Sequence, residues 1–353
     1  MKIGILTFHW ATNYGAVLQA YALQRYLESK GHKVQIINYK PKLYDNTFWS
    51  FIRLRKFQNY SFYKAELKKE SSLKLFRKQY LNLTNRVYKC GEIQNVLSIF
   101  DVVISGSDQV LNPNFLRNGD NPRVITPSYF LEFPFKGHKI GYAVSFGCIK
   151  YPKDDLELAT KYIKNFDRIG VRESTGLAIV KSMGRDDAVV VPDPTLLIES
   201  GLYSNLADNC NIQTSKPYIY SFFIRNITEH RFLIKKHQNN NNIIWNNDDG
   251  NYSLEAWLNK IKNSQFVITD SFHCVMMCLK LHKLFVVITE REGNVGMNDR
   301  LYTILEKLGL DNRIIYKGKI STIFDLLNNT VDWSKTDNDL TDYAYQGKAF
   351  LSF

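Results

Sequence analysis

A histidine between two predicted elements is the first residue whose type and position suggest chemistry. His273 lies in the stretch TDSFH, after the strand-like apolar run 266–269 and at the start of the helix-forming run 274–281. Imidazole titrates near neutral pH, so His273 is a candidate for donating or accepting a proton. Asp270 and Ser271 are also good helix caps, which leaves open that His273 only packs there.

Three arginines stand where predicted strands end or helices begin. Arg172 in GVREST and Arg225 in YSFFIRN each follow a strand, and Arg300 begins an amphipathic helix. A planar guanidinium can bind a phosphate or carboxylate through two hydrogen bonds. A cation at the positive end of a helix is favourable only beside an anion. We therefore expect an anionic ligand, with ordinary surface ion pairs as the alternative for Arg172 and Arg225.

Two polar loops follow predicted strands of the first half of the chain. Asn13, Tyr14 and Gly15 lie in HWATNYGAVLQ, and Asp108 and Gln109 lie in ISGSDQVLNP. These side chains could hydrogen-bond to sugar hydroxyls, and a carboxylate could also act as a base. Neither loop has the spacing GxGxxG, so a dinucleotide site is not indicated. Turn formation is the alternative for both loops.

The five cysteines do not indicate a disulfide framework or a zinc knuckle, because they are scattered and lack a CxxC pair. Cys274, Cys278 and His282 share one face of a predicted helix, where two of them could hold a metal. The same helix is apolar, and buried thiols usually serve packing. We therefore expect reduced thiols and no metal site.

Strands alternate with helical segments along the chain, which predicts parallel sheets in an α/β fold. With 353 residues, two domains are the default. We predict two Rossmann-like lobes with a central cleft, where strand-end loops bind ligands. The first lobe is residues 1–200 on the acceptor side, with segment 333–353 packing back on it. The second lobe is residues 210–332 on the donor side.

The net charge of +12 favours an anionic partner, which could be nucleic acid, an acidic membrane surface or a phosphorylated substrate. Much of the excess lies in the basic, aromatic segment 44–89, which contains no recognised nucleic-acid-binding module. We therefore expect no nucleic acid. There is neither a signal peptide nor a run of about 18 apolar residues, so a cytoplasmic protein is expected. Segment 44–89 would either hold it at the inner face of the membrane or pack on the first lobe.

Five stretches, in their order and spacing, resemble a known family: NYGAVLQAYAL, GSDQVLNP, VRE, TDSFH and NDRLYTILEKLGL. Over nearly its whole length the chain is similar to the polysaccharide pyruvyl transferases of bacteria. The resemblance implies a GT-B-like fold, phosphoenolpyruvate as donor, and a polyprenyl-diphosphate-linked precursor of capsule or exopolysaccharide as acceptor. The product would be a cyclic pyruvate ketal. Phosphoenolpyruvate would be a co-substrate, and neither cofactor nor metal is implied.

The resemblance also suggests which residues do what, with His273 as the acid–base group. The expected donor-binding residues are Ser271, Arg172, Arg225, Arg300 and Asn298. The expected acceptor-binding residues are Asn13, Tyr14, Gly15, Asp108 and Gln109. Many family members have arginine where Ser271 stands and glycine where Cys274 stands, so another arginine has to replace the missing cation. The alternatives are a GT-B glycosyltransferase that uses a nucleotide sugar and a non-catalytic anion-binding protein.

Overall fold

The computed structural model describes most of the chain in two compact units. The described residues are 1–41, 44, 60–117, 121, 123–210, 217–224, 244–247, 252–294, 296–316, 323, 325–326 and 329–353. Unit 1 comprises Met1–Ile198 with Tyr343–Phe353, and unit 2 comprises Glu199–Asp342. Arg225 lies outside the described residues, as does the part of segment 44–89 that contains Trp49, Phe51 and Phe57.

Unit 1 is built on a six-stranded sheet with the order β2-β1-β3-β4-β5-β6, in which all neighbours are parallel. The strands are β1 (Lys2–Leu6), β2 (Lys33–Ile36), β3 (Val102–Asp108), β4 (His138–Val144), β5 (Arg168–Val171) and β6 (Val189–Val190). The central strands are buried along most of their length because both faces of a parallel sheet are covered.

The helices of unit 1 cover this sheet. They are α1 (Tyr14–Ser29), α2 (Tyr60–Tyr80), α3 (Pro113–Leu116), α4 (Lys153–Ile163) and α5 (Ser174–Ser182), with 3-10 turns at Cys90–Ile99, Ser128–Phe130 and Pro194–Leu196. α1 begins at Tyr14 because the Asn13 side chain accepts hydrogen bonds from the backbone N–H of Gly15 (2.8 Å) and Ala16 (3.3 Å). It ends before Gly31, whose φ of +80° suits a residue without a side chain.

Unit 2 contains a five-stranded parallel sheet with the order β11-β10-β9-β7-β8. The strands are β7 (Tyr218–Phe222), β8 (Ile244–Asn247), β9 (Phe266–Thr269), β10 (Leu284–Thr289) and β11 (Ile314–Tyr316). The helices are α6 (Ser200–Asp208), α7 (Leu254–Asn263), α8 (Phe272–Lys280) and α9 (Asp299–Leu305), with 3-10 turns at Gly296–Asn298 and Asp311–Arg313. The last helix, α10 (Trp333–Phe350), begins in unit 2, and its residues from Tyr343 onward belong to unit 1. Within the described residues, no helix is long and apolar enough to cross a membrane.

Each sheet contains a point where the direction of its connections reverses. In unit 1 this point lies between β1 and β3, and in unit 2 it lies between β7 and β9. Ligands of open α/β sheets bind outside the carboxyl ends of the strands at such a point. The loops that meet there are residues 7–13 and 109–112 in unit 1, and residues 223–224 and 270–271 in unit 2. Most of the predicted site residues lie in or beside these loops, whereas Arg172 follows β5, and Asn298 and Arg300 follow β10.

Candidate active site

The carboxyl ends of β7 and β9 are tied together just before α8. The Oγ1 of Thr269 donates to the carbonyl oxygen of Phe222 at 2.7 Å and accepts from the backbone N–H of Ser271 at 3.0 Å. The hydroxyl of Ser271 in turn accepts from the backbone N–H of Cys274 at 3.4 Å and caps α8. This cap explains why α8 begins two residues earlier than the apolar run suggests.

Asp270, which directly follows β9, joins two loops through a hydrogen bond. Its Oδ1 accepts from the backbone N–H of Ile224 at 2.7 Å, which joins the loop after β9 to the loop after β7. The carboxylate is thereby held beside β7, and the helix cap is left to Ser271. The two loops are fixed relative to each other where an anion would meet the first turn of α8.

Three side chains from two helix starts come together at this point. The rings of Phe272 and His273 are 5.2 Å apart at 83°, and the guanidinium of Arg300 lies 5.4 Å from the Phe272 ring centre. His273 is 6% exposed, and Arg300 is partly buried. A cation above an aromatic face is stabilised by the ring quadrupole. The arrangement places a proton-transfer group and a positive charge beside one helix N-terminus.

Asn298 supports the loop that precedes Arg300. Its Nδ2 donates to the carbonyl oxygens of Arg291 (2.9 Å) and Gly293 (3.0 Å), and the side chain is buried. Both amide hydrogens therefore serve the loop after β10. Through this loop Asn298 positions α9, and its expected contact with a donor stays a prediction.

A cavity of about 280 Å³ opens beside the same loop, near the ends of β10 and β11. Its polar lining residues include Glu292, Tyr302, Asn312, Tyr316 and Asp325. Two carboxylates in the wall would repel a phosphate or a carboxylate ligand. An anionic ligand is therefore expected at the start of α8 and not in this cavity.

Arg172 lies in unit 1, where it is 2% exposed and surrounded by acids. Its Nη1 is 3.2 Å from the Oδ2 of Asp193, its Nε 3.6 Å from the Oε2 of Glu173, and its Nη2 3.7 Å from the Oδ1 of Asp108. Burial disfavours the charged guanidinium, but the three carboxylates outweigh this effect and raise the pKa of Arg172 above its ordinary value. The single cation is already surrounded by three anions, which argues against its use as a contact for the donor.

Two of these acids are held by further hydrogen bonds. Asp193 accepts from the hydroxyl of Ser107 (2.9 Å) and from both the backbone N–H (3.0 Å) and the hydroxyl (2.8 Å) of Thr195. Glu173 accepts from the hydroxyl of Ser145 (2.6 Å) and from the backbone N–H of Phe146 (3.2 Å). Arg172 and these acids therefore form a rigid polar core under the carboxyl ends of β3, β4 and β5.

Asp108 is the exposed member of this network. Its side chain is 16% exposed, against 6% for Glu173 and none for Asp193. It ends β3 with a φ of +75°, a conformation that costs free energy in a residue with a side chain. Strain of this kind persists where the surroundings hold a residue in place, and here Arg172 faces the carboxylate. Asp108 is thus fixed at the reversal point of unit 1.

The other predicted acceptor residues have local partners. The Oε1 of Gln109 accepts from the Nδ2 of Asn112 at 2.6 Å. Gly147, with a φ of +62°, passes so close that a Cβ there would be 2.5 Å from both atoms. Asn13 caps α1, and Tyr14 is 1% exposed with the Nζ of Lys69 at 4.4 Å from its ring centre. Gly15 is buried in the first turn of α1.

Sequence reasoning missed a histidine in the loop after β1. His9 is 1% exposed, with Nδ1 3.1 Å from the carbonyl oxygen of Thr7 and Nε2 3.3 Å from the Oδ1 of Asn38. Burial, and to a lesser extent the charges of Arg77 and Arg86, lower its pKa to about 4. His9 lies in a loop that the sequence had singled out. Its isolation from water depends on distant residues and could not be read from that loop.

No group of three or more potential metal-ligating side chains occurs among the residues that the structure describes. Cys274 and Cys278 are buried free thiols on α8. Burial and the neighbouring Cys274 raise the pKa of Cys278 well above its ordinary value, so it is a neutral packing group. The helical face that carries them belongs to the core of unit 2.

Comparison with known proteins gives a family and a fold. A family model described as polysaccharide pyruvyl transferase matches residues 13–291, more than half of the chain. A search of curated proteins found no significant match. The chain is similar to the S. aureus structure of MnaA with UDP, with a TM-score of 0.52, 11% identity, and coverage of 98% of this chain and 92% of that chain.

A second similar structure is the UDP-GlcNAc 2-epimerase of Methanocaldococcus jannaschii in complex with UDP-GlcNAc and UDP. It has a TM-score of 0.51 and 12% identity, and the match covers 98% of this chain and 100% of that chain. At such identities the similarity concerns the fold alone. The predicted fold class, a GT-B-like α/β fold of two Rossmann-like units with parallel sheets, is confirmed.

Proposed function

The chain belongs to the polysaccharide pyruvyl transferase family, and from this premise we propose that it transfers the pyruvate group of phosphoenolpyruvate to a sugar and forms a cyclic ketal. Membership of the family makes it a transferase. The observation that carries the finer proposal is that the ring of His273 and the guanidinium of Arg300 both lie beside Phe272, at the start of α8. A proton donor and a cation beside a helix N-terminus suit an enol phosphate with two anionic groups.

The reaction needs one proton delivered and one leaving group released. His273 gives a proton to the methylene carbon of phosphoenolpyruvate, which becomes the methyl group of the product. The oxygen of a sugar hydroxyl bonds to the resulting cationic carbon, and the C–O bond to phosphate breaks. A second hydroxyl closes the ring. Of the two hydroxyl protons, one restores His273 and the other leaves with phosphate, so atoms and charges balance. Such acid–base assistance is worth about 100- to 10,000-fold in rate.

The donor is assigned to unit 2. Ser271 caps α8 and brings no charge, so Arg300 supplies the cation that faces phosphate or carboxylate. Arg172 is placed outside the donor site because three carboxylates surround it in unit 1. Asn298 acts through the loop that it holds. No metal or cofactor takes part in this scheme.

The acceptor is assigned to unit 1, at the carboxyl ends of β1 and β3. Asp108 is the residue to contact a sugar hydroxyl there, because it is the exposed acid of an otherwise buried network. Its carboxylate can accept a hydrogen bond from the hydroxyl and take up its proton. Asn13, Tyr14, Gly15 and Gln109 shape the two loops that flank it.

A lipid-linked acceptor would bring the enzyme to the cytoplasmic face of a membrane. The outward face of α2 suits this task, because it exposes Leu67 (38%) and Leu75 (66%). Exposed lysines lie among them at helical spacing, at positions 64, 68, 74 and 78. Apolar and basic side chains on one helix face favour an anionic lipid surface.

The decisive experiment incubates the protein with phosphoenolpyruvate and a panel of galactosides, and measures phosphate release together with the mass of the ketal. Nucleotide sugars replace phosphoenolpyruvate in a parallel series. We expect phosphate release and ketal formation only with phosphoenolpyruvate, and their loss in His273→Gln. A folded His273→Gln variant that keeps a tenth of wild-type turnover would rule out His273 as the acid. Sugar transfer from a nucleotide sugar would replace the proposal by a glycosyltransferase.

A further inference from the structure

Glu173 is a buried carboxylate that the proposed mechanism leaves unused. It lies two residues beyond the end of β5, and it is 4% exposed. Its Oε1 accepts from the hydroxyl of Ser145 at 2.6 Å and from the backbone N–H of Phe146 at 3.2 Å. Among the described residues, its Oε2 is buried without a hydrogen-bond partner, since the Nε of Arg172 is 3.6 Å away. A buried carboxylate oxygen without a hydrogen bond is costly, which points to a further donor in the working enzyme.

The carboxylate of Asp108 approaches the same guanidinium group as Glu173 does. Its Oδ1 is 3.7 Å from the Nη2 of Arg172, and the Oε2 of Glu173 is 3.6 Å from Nε. These two nitrogens are bonded to the same carbon, so the two carboxylates are near neighbours. Both distances exceed the range of a hydrogen bond, and at such a separation a hydroxyl group or a water molecule can bridge the charged groups.

The backbone beside Glu173 departs from regular β-structure. Ala143 of β4 has a φ of +49°, and the register of β4 against β5 shifts at this point. An irregularity of this kind re-aims the residues that follow it, and here Ser145 comes to donate to Glu173. Asp108, at the end of the neighbouring strand β3, also has a positive φ. Non-glycine residues in this conformation cost free energy and cluster at functional sites.

Glu173 is buried, but the loop after β4 that holds it reaches the surface. Gly147 and Cys148 are partly exposed, and Ile149 is 47% exposed. Burial, and to a lesser extent the charge of Glu173, raise the pKa of Cys148 to about 11, so the carboxylate lies near this partly exposed thiol. The carboxylate is therefore close below the surface at the carboxyl ends of β4 and β5.

We propose that Glu173 binds the second hydroxyl of the acceptor sugar and takes up its proton when the ketal ring closes. The inference rests on the proposed function, in which Asp108 meets one hydroxyl, and it adds the group that meets the other. A cyclic ketal joins two neighbouring hydroxyls of one sugar, and the carboxylates of Asp108 and Glu173 match such a pair. After phosphate has left, the second hydroxyl oxygen bonds to the cationic carbon, its O–H bond breaks, and Glu173 passes the proton to the released phosphate. The balance of atoms and charges in the transfer is unchanged.

Loss of this role changes the products as well as the rate. When the ring does not close, water adds to the same carbon after phosphate has left, and the adduct breaks down to free pyruvate and the unchanged sugar. Such a turnover releases phosphate but yields no ketal. The amounts of phosphate, pyruvate and ketal, formed from phosphoenolpyruvate and the galactoside panel, therefore report ring closure separately from formation of the first bond.

Glu173→Gln is the test variant, because a carboxamide keeps the size of the side chain but does not take up a proton. Wild type should form ketal and phosphate in equal amounts. In Glu173→Gln the ratio of ketal to phosphate should fall about tenfold or more, with pyruvate in place of ketal, since a positioned base is worth about 100-fold or more in rate. Glu92→Gln is the matched control and should keep the wild-type ratio. Glu92 also accepts from backbone N–H groups, those of Tyr88 and Lys89, but it precedes β3 in the chain.

The product ratio separates this inference from the proposed function. A folded Glu173→Gln variant that forms ketal and phosphate in equal amounts would overturn the inference and leave the proposed function standing. A folded variant that releases no phosphate would place Glu173 in the first step, which also refutes the inference. If wild type itself releases no phosphate or forms no ketal with any galactoside, the proposed function fails, and the inference fails with it.

Two further variants complete the test. Asp108→Asn should lower phosphate release and ketal formation together, because Asp108 acts on the first hydroxyl. Should Glu173→Gln fail to fold by circular dichroism, Ser145→Ala decides, because it removes the hydroxyl that orients the Glu173 carboxylate and leaves the hydrogen bond from Phe146. A fall in the ratio of ketal to phosphate in Ser145→Ala would support the inference, and an unchanged ratio would overturn it.

Discussion

Replacing Arg172 by glutamine should destabilise unit 1 and leave the affinity for phosphoenolpyruvate unchanged. The guanidinium is 2% exposed and lies 3.2 to 3.7 Å from the carboxylates of Asp193, Glu173 and Asp108. Removing one partner of a buried ion pair costs about 3–5 kcal/mol, because the opposite charge remains buried. Here three charges remain, although hydrogen bonds to Ser107 and Ser145 lessen the effect. We expect a loss near 4 kcal/mol, a large part of an ordinary domain's stability of about 5–15 kcal/mol.

Urea unfolding measures the stability, and calorimetric titration measures the donor affinity of the folded fraction. Arg168→Gln is the control on the same strand, because this arginine is exposed over the ring of Phe350 and its loss should cost about 0.5 kcal/mol or less. The double variant Arg172→Gln/Asp193→Asn should recover part of the lost stability, since one of the stranded charges is removed with the cation. A stable Arg172→Gln variant that binds phosphoenolpyruvate ten times more weakly would refute this reasoning and return Arg172 to the donor site.

Four shorter expectations concern residues in the loops and helix starts after the strands. Between pH 7 and pH 5, His9→Asn should lose about 2 kcal/mol less stability than wild type. The buried ring has a pKa of about 4, whereas the unfolded ring takes up a proton near 6.5, so acid favours unfolding of the wild type. Urea titrations at both pH values measure this difference, and an equal loss in wild type and variant would contradict it. Arg300→Gln should weaken phosphoenolpyruvate binding about tenfold and spare acceptor binding in separate titrations. Asp108→Asn should lower the rate with every acceptor while donor affinity stays unchanged; an equal loss of both would mean that Asp108 only shapes its turn. Gly147→Ala should cost more than about 1 kcal/mol in thermal unfolding, because the φ is +62° and the new Cβ would meet Gln109 and Asn112; an unchanged melting temperature would contradict this.

The strands were largely readable from the sequence because a parallel sheet buries both faces of its strands. β9 begins and ends where its apolar run does. β3 continues three residues beyond its apolar run, through Asp108, since backbone pairing with β4 goes on where the side chains become polar. The start of α8 was predicted two residues late, at residue 274, because the helix begins at Phe272, directly after its cap Ser271.

The positions of the site loops were also readable, because every one of them follows an apolar strand. The partners of their side chains were not. Thr12 meets Glu70 across 58 residues, and Arg172 meets Asp193 across 21. Such pairs depend on which elements become neighbours in the fold, and a local pattern carries no information about that. The sequence showed that segment 44–89 is basic, but it did not show that Arg77 is buried and paired with Glu70.

Because local sequence does not reveal side-chain partners, arginines that look equivalent in the sequence can have different surroundings in the structure. Arg172 and Arg300 both stand at the start of a loop or helix near a strand end, and the type of residue gives each the same capacity to bind an anion. What distinguishes them is the charge already present around each one. Arg172 faces three carboxylates within 3.7 Å, whereas Arg300 faces an aromatic ring beside a helix N-terminus. An incoming phosphate would be repelled by the acids around Arg172. The three carboxylates around Arg172 therefore argue against an anionic ligand there, and Arg300 at the start of α9 stays the proposed donor cation.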